Sequence, residues 1–285
     1  MKESKYVAPN ILKKIQKTKF SRCANFIVGN SQIYIQHPNL DDKLLEIIKL
    51  PLQHLKKYLP KTLNIYCYPV KTNKKFVGNY DRKHINSGYC TYYRSGLWAE
   101  IVIFRHEDWF RTLIHELFHG CLLDRAEEHK DINLLAIQKK FPINCSFLVF
   151  ETYCESWARI LNSKFYAKIY GKSCKKILQQ EIQFTIKQAK NALANTGLKF
   201  KDILKPNSNY TENSNMFCYY ILTALVLSEN QEFTELFEYP LNSLQEFTDY
   251  LATRDTDRFI RRINSARISA TNSARIVKFA IAEDY

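Results

Sequence analysis

Glycine is scarce in this chain of 285 residues, at seven positions, and no two of its eight cysteines form a C-x-x-C pair. So few glycines argue against long flexible loops. Together with 18 Tyr and 18 Phe they favour a helix-rich body. The missing C-x-x-C excludes zinc-ribbon and thioredoxin-like chemistry. The cysteines at 23, 67, 90, 121, 145, 154, 174 and 218 are expected to be reduced and mostly buried, because a chain of this size forms a large core without disulfide staples. No run of about 18 apolar residues occurs, and no apolar segment follows Met1-Lys-Glu-Ser-Lys5, so a soluble intracellular protein without a membrane span is expected.

Negative charge is also in short supply. Asp and Glu number 28 against 42 Lys and Arg, a formal net charge of +14. Such an excess favours an anionic partner, be it nucleic acid, an acidic protein or a membrane surface. A coding bias towards Lys, Asn, Ile and Tyr gives the same excess without any partner, and the lysines read as scattered. The arginine-dense part is the end of the chain. Arg254, Arg258, Arg261 and Arg262 precede a short repeat, Asn264-Ser-Ala-Arg267-Ile and Asn272-Ser-Ala-Arg275-Ile. It reads as a solvated basic helix face, with an anion-binding strip or a carboxylate clamp as the alternative. Nothing in the pattern signals an oligomer.

Against these absences stands one dense motif, Arg111-Thr-Leu-Ile-His115-Glu116-Leu-Phe-His119-Gly120. In a helix, residues i and i+4 share a face one turn apart, so the H-E-x-x-H spacing lets both imidazoles reach one Zn²⁺. Glu116 lies beside them, where it can take a proton from a water on the metal. Trp109, Phe110, Leu113, Ile114, Leu117 and Phe118 place this helix in the core, and Glu107 and Asp108 suit its positive end.

Two histidines need a third protein ligand. The continuation H-x-x-G-x-x-H is absent, since Leu122 and Arg125 stand at the Gly and His places, and Asp124 falls one residue early for the variant ending in aspartate. His129 reads as a surface imidazole. Better candidates are Glu151 and Glu155, four apart on the apolar helix Phe147–Leu161, where two carboxylates need partners.

His115-Glu116-x-x-His119 together with Glu155-Ser-Trp-Ala158 resembles the gluzincins, zinc metallopeptidases with H-E-x-x-H on one helix and a glutamate ligand on the next. The resemblance covers these two helices. It implies one zinc per chain bound by His115, His119 and a glutamate, with Glu116 as general base of peptide hydrolysis. Glu155 matches the motif better. The alternative register makes Glu151 the ligand and Glu155 the acid that orients a histidine. Motif and composition also resemble metallopeptidases of large DNA viruses, which would place the protein in host cytoplasm or virion. Gluzincins usually add a His or Tyr donor for the oxyanion. No histidine follows His129, which leaves Tyr210, Tyr219, Tyr220 or the C-terminal arginines.

The expected fold class is α+β, a small β-rich N-terminal lobe followed by a mainly helical zincin-like body. An N-terminal helix and the β-rich lobe would fill residues 1–104 and the helical body 105–285, as one catalytic unit. Within the lobe, Asp41–Tyr58 reads as a helix bent or divided at Pro51, and Leu63–Tyr68 as a strand. Tyr89–Tyr93 and Leu97–Phe104 read as a hairpin around Gly96. Peptidases of this type hold an extended substrate on an edge strand near the site helix. Trp98–Phe104 is the candidate, with an ordinary core strand as the alternative. Further helices are expected at 134–140, 147–161, 172–195, 215–228, 231–238, 242–253 and 255–263. Two other functions fit the sequence: a basic nucleic-acid-binding or scaffold protein with a structural or vestigial metal site, and a zinc hydrolase of a non-peptide amide or ester.

Overall fold

The computed structural model describes residues 7–19, 22–71, 86–93 and 95–266. A five-stranded mixed sheet fills the N-terminal part and helices dominate the rest, as an α+β chain requires. Helix α1 (Pro9–Gln16) opens with proline at its first turn and buries Ile11 and Ile15. Strands β1 (Arg22–Val28) and β2 (Ser31–His37) then form a hairpin turned at Gly29, whose φ of 60° suits a residue without a side chain. This hairpin escaped the sequence reading. Its signal was the alternation of Ile33 and Ile35 with polar neighbours after Gly29-Asn30.

Helix α2 (Asp42–His54) is capped by the Asp41 carboxylate, which accepts from the Leu44 N–H at 2.7 Å. Pro51 does not divide it; the helix runs on to His54. It carries the chain over to β3 (Thr62–Val70), parallel to β2. The expected hairpin of β4 (Gly88–Tyr92) and β5 (Trp98–Arg105) is present. The strand order is β1-β2-β3-β5-β4, so β5 lies between β3 and β4 and cannot be an edge. Trp98–Phe104 is therefore a core strand, and its run from Ile101 to Phe104 is buried throughout. The edge next to the site helix is β4.

The site helix α3 (Trp109–Gly120) is buried at every residue, packed between the β4–β5 hairpin and a long helix α5 (Val149–Ile169). Between them come α4 (Leu135–Lys140) and a loop. Helix α6 (Cys174–Ala194) lies against α5. A π-helical segment, Phe217–Leu222, continues into α7 (Thr223–Ser228) and packs on α5 and α6. The chain goes on through α8 (Asn230–Leu236), α9 (Leu244–Thr253) and α10 (Asp257–Ser265). One apolar core joins sheet and helices, from Ile35 and Ile65 through Leu117 and Trp157 to Phe247. No helix among the described residues is long and apolar enough to cross a membrane. All eight cysteines are free; four are buried, while Cys23 and Cys174 are exposed.

Candidate metal centre

Helix geometry alone stacks His115 over His119, with ring centroids 4.9 Å apart. Their Nε2 atoms face each other at 3.2 Å. Glu151, in the first turn of α5, brings Oε2 to 3.1 Å from Nε2 of His115 and 3.4 Å from Nε2 of His119. These atoms form a nearly equilateral triangle. Tetrahedral bonds of about 2.0–2.1 Å place ligand atoms about 3.3 Å apart, so the triangle has the size of three corners of a zinc site.

The imidazoles are oriented from behind. Asp124 is completely buried and its Oδ2 lies 2.6 Å from Nδ1 of His119, while Glu155 Oε2 lies 3.3 Å from Nδ1 of His115. Asp124 accepts a hydrogen bond from a proton on Nδ1 of His119, and the charge of Glu155 favours one on Nδ1 of His115; with both Nδ1 atoms protonated, both Nε2 lone pairs aim at one point. Two such lone pairs and a carboxylate repel one another unless a cation or protons lie between them. The residues present therefore fit a zinc ion.

The expectation that Glu155 faces the metal position is not met. Its Oε1 accepts from Arg111 and is ion-paired with Arg159, whose Nε lies 2.8 Å away, and this holds the carboxylate behind His115. Asp108 and Glu181 extend this into a buried ladder, Asp108–Arg111–Glu155–Arg159–Glu181, with Thr185 hydrogen-bonded to Arg159. Burial opposes charge on Glu155, but Arg111 and Arg159 outweigh it and hold its pKa well below the usual carboxylate range. At Glu151, burial is likewise outweighed by His119 and His115.

Asp124 escaped the sequence reading as a functional residue, because no ligand pattern uses its spacing. The loop that places it turns through left-handed backbone at Leu122 (φ 55°) and Arg125 (φ 54°), uncommon for residues with side chains. Cys154 lies 3.5 Å from the same carboxylate, and burial pushes its thiol pKa well up, so it sits there as a neutral donor. His119, Asp124 and Cys154 also converge. However, 2.6 Å between Nδ1 and Oδ2 is a hydrogen-bond distance, too short for two ligands of one ion.

Electrostatically, the site favours positive charge at the shared point. Burial alone would lower the pKa of His115, but bonding to Glu151 and Glu155 raises it to about 9. At His119, burial is overcome by the charges of Asp124, which is also hydrogen-bonded to its Nδ1, and of Glu151, so its pKa stands well above the ordinary value. The field that draws protons to these rings would equally stabilise a divalent cation. Glu116 is buried, and this desolvation raises its carboxyl pKa against the pull of the two histidines.

A cavity of about 50 Å³ opens beside Glu116, lined also by Ser87, Gly88, Arg111, Tyr219 and Tyr220. Tyr219 tilts against His115 with centroids 5.8 Å apart. Burial, then the charges of Glu151 and Glu116, keep its phenol pKa well above the ordinary value. Both tyrosines belong to the π-helical segment, a distortion frequent at functional sites. Tyr210 is not near them; it is buried against Phe217, outside the cavity lining. The C-terminal arginines are elsewhere too. Arg254 pairs with Glu232, Arg258 with Glu229, and Arg262 donates to the Ser228 carbonyl. The Arg267 and Arg275 repeat lies outside the described residues apart from its first three positions. His129 is half-buried with its ring against Phe150, not a free surface imidazole.

No protein-family model matches the chain, and no curated protein or solved structure matches it either.

Proposed function

We propose that the chain is a zinc-dependent peptidase. The observation that carries this reading is the triangle of His115 Nε2, His119 Nε2 and Glu151 Oε2, with Glu116 alongside. His115, His119 and Glu151 would hold one zinc ion, with Asp124 and Glu155 fixing the tautomers of the imidazoles. When bound, the ion supplies Lewis acidity that polarises a carbonyl and makes a water nucleophilic near neutral pH. Glu116, its pKa raised by burial, accepts a proton from the attacking water and delivers it to the leaving amine. Tyr219, which lines the cavity together with Tyr220 and lies against His115, would donate to the oxyanion. An extended peptide pairing with the edge of β4, which no strand covers among the described residues, would run past Ser87 and Gly88, beside Glu116.

The test is cleavage of a peptide library by the zinc-loaded protein, read by mass spectrometry, beside Glu116→Gln. The variant is expected to keep its zinc and lose activity by roughly 10²–10⁴-fold. Cleavage that survives in Glu116→Gln would overturn the assignment of the base. Zinc retention with no peptide cleaved would transfer the site to another amide or an ester.

A further inference from the structure

The net charge of +14 is not spread evenly. From residue 156 to 201 the chain holds ten Lys and Arg against a single acid, Glu181. That acid is buried and paired with Arg159, so no exposed carboxylate interrupts the α5–α6 hairpin. Five of these lysines fall between residues 164 and 176, across the turn from α5 to α6. Lys164 and Lys168 on α5, Lys172 in the turn, and Lys175 and Lys176 at the start of α6 are all exposed. Among the described residues none of these five has a carboxylate partner; the solvent-accessible ion pairs lie elsewhere, at Lys49–Glu46, Arg125–Glu128, Lys205–Asp202, Arg254–Glu232 and Arg258–Glu229. Tyr170, between Lys168 and Lys172, is 43% exposed and its ring lies on Tyr166 with centroids 4.5 Å apart.

Four ammonium groups on two helices and a fifth in the turn between them, with no carboxylate partner, repel one another, and Lys164 and Lys168 do so at the i, i+4 spacing where like charges destabilise a helix. A polyanion relieves that repulsion. We propose that this corner binds the phosphate backbone of nucleic acid, without reading its sequence. Lysines on a scaffold with an exposed aromatic ring match the electrostatic and stacking contacts of such binding. An anionic membrane is the poorer fit. Tyr170 is the exposed large apolar side chain of the corner, whereas interfacial helices bury a whole apolar face.

The corner is separate from the candidate metal centre. Glu151 and Lys164 stand at opposite ends of α5, about 20 Å apart at helical rise, beyond a physiological screening length of about 8 Å. The inference therefore does not rest on the zinc reading.

The experiment is fluorescence anisotropy of a labelled DNA duplex of about 25 base pairs, titrated with the full chain between about 50 and 200 mM KCl. Five phosphate contacts predict a slope of log K against log salt of about −4 to −5. The triple variant Lys168→Gln/Lys172→Gln/Lys175→Gln should flatten the slope by about 3, and Lys13→Gln/Lys14→Gln/Lys17→Gln on α1 by less than about 1. Zinc content should be equal in all three proteins. Absence of salt-dependent binding by the wild type would overturn the proposal, and so would equal losses in the two triples. Binding to phosphatidylserine vesicles but not to the duplex would assign the corner to an anionic membrane instead.

Discussion

Glu151 and Glu155, one turn apart on α5, address the two nitrogens of a single imidazole: Glu151 Oε2 lies 3.1 Å from Nε2 of His115, and Glu155 Oε2 lies 3.3 Å from its Nδ1. His115 is thus held between two carboxylates that differ in surroundings. Glu155 is tied down by Arg111 and Arg159, whereas Glu151 shares its oxygen with His119. The proposed division of labour, Glu151 for the metal and Glu155 for the ring, rests on those partners.

That division can be measured as metal content. Wild type should carry about one zinc per chain; His119→Ala and Glu151→Ala should lose it. Glu155→Ala should keep the metal at roughly 10–100-fold weaker affinity, the usual effect of losing an acid behind a ligand. Elemental analysis followed by chelator competition checks this. Loss of zinc in Glu155→Ala with retention in Glu151→Ala would reverse the assignment.

Arg159 is completely buried between Glu155 and Glu181. Arg159→Met leaves two buried carboxylates short of a cation and should destabilise the fold by about 3–5 kcal/mol. Arg159→Lys restores the charge but not the fork and should recover part of that loss. Urea unfolding of the two variants measures both.

Gly88 lets the edge strand lie against the site helix. A Cβ there would stand 2.7 Å from Thr112 Cγ2, 2.9 Å from the Val102 carbonyl oxygen and 3.2 Å from Glu116 Oε1. Gly88→Ala must push β4 away from α3, at a cost of about 1–3 kcal/mol. A lowered thermal midpoint, together with reduced peptide cleavage at unchanged zinc content, is the expected result.

His37, buried at the end of β2, accepts the Asn39 N–H at 3.0 Å through Nδ1. Burial, aided by His106, lowers its pKa from 6.5 to about 4. The unfolded chain then binds this proton at higher pH than the folded one, so stability is present above the ordinary value and is lost as pH falls through about 4. The loss is spread between about pH 6.5 and 4 and should approach about 3.5 kcal/mol at most, by roughly 1.4 kcal/mol per pH unit of displacement. Urea unfolding between pH 7 and pH 4 should show this slope in wild type and a flatter one in His37→Asn.

Much of this protein is local in origin and so legible in the sequence. His115, Glu116 and His119 share a helix face because of their spacing, whatever the helix packs against. Helices α2 to α10 followed from apolar periodicity, and the β4–β5 hairpin from its turn. The first hairpin is local too, and its Gly29-Asn30 turn and alternating strand were simply overlooked. The other misses are not legible in this way: the edge position of β4 depends on contacts between segments distant in sequence, and the approach of Asp124 to His119 on an unusual loop backbone.

The sharpest division concerns the two glutamates. The sequence determined that Glu151 and Glu155 share one face of α5 and that a buried pair of carboxylates needs positive partners. It could not determine which faces Nε2, because sliding a helix by one turn exchanges the two without altering any periodicity. Tertiary packing decided it: Arg159, anchored on Glu181 of α6, and Arg111 of α3 capture Glu155. Glu151 is left to meet the two histidines.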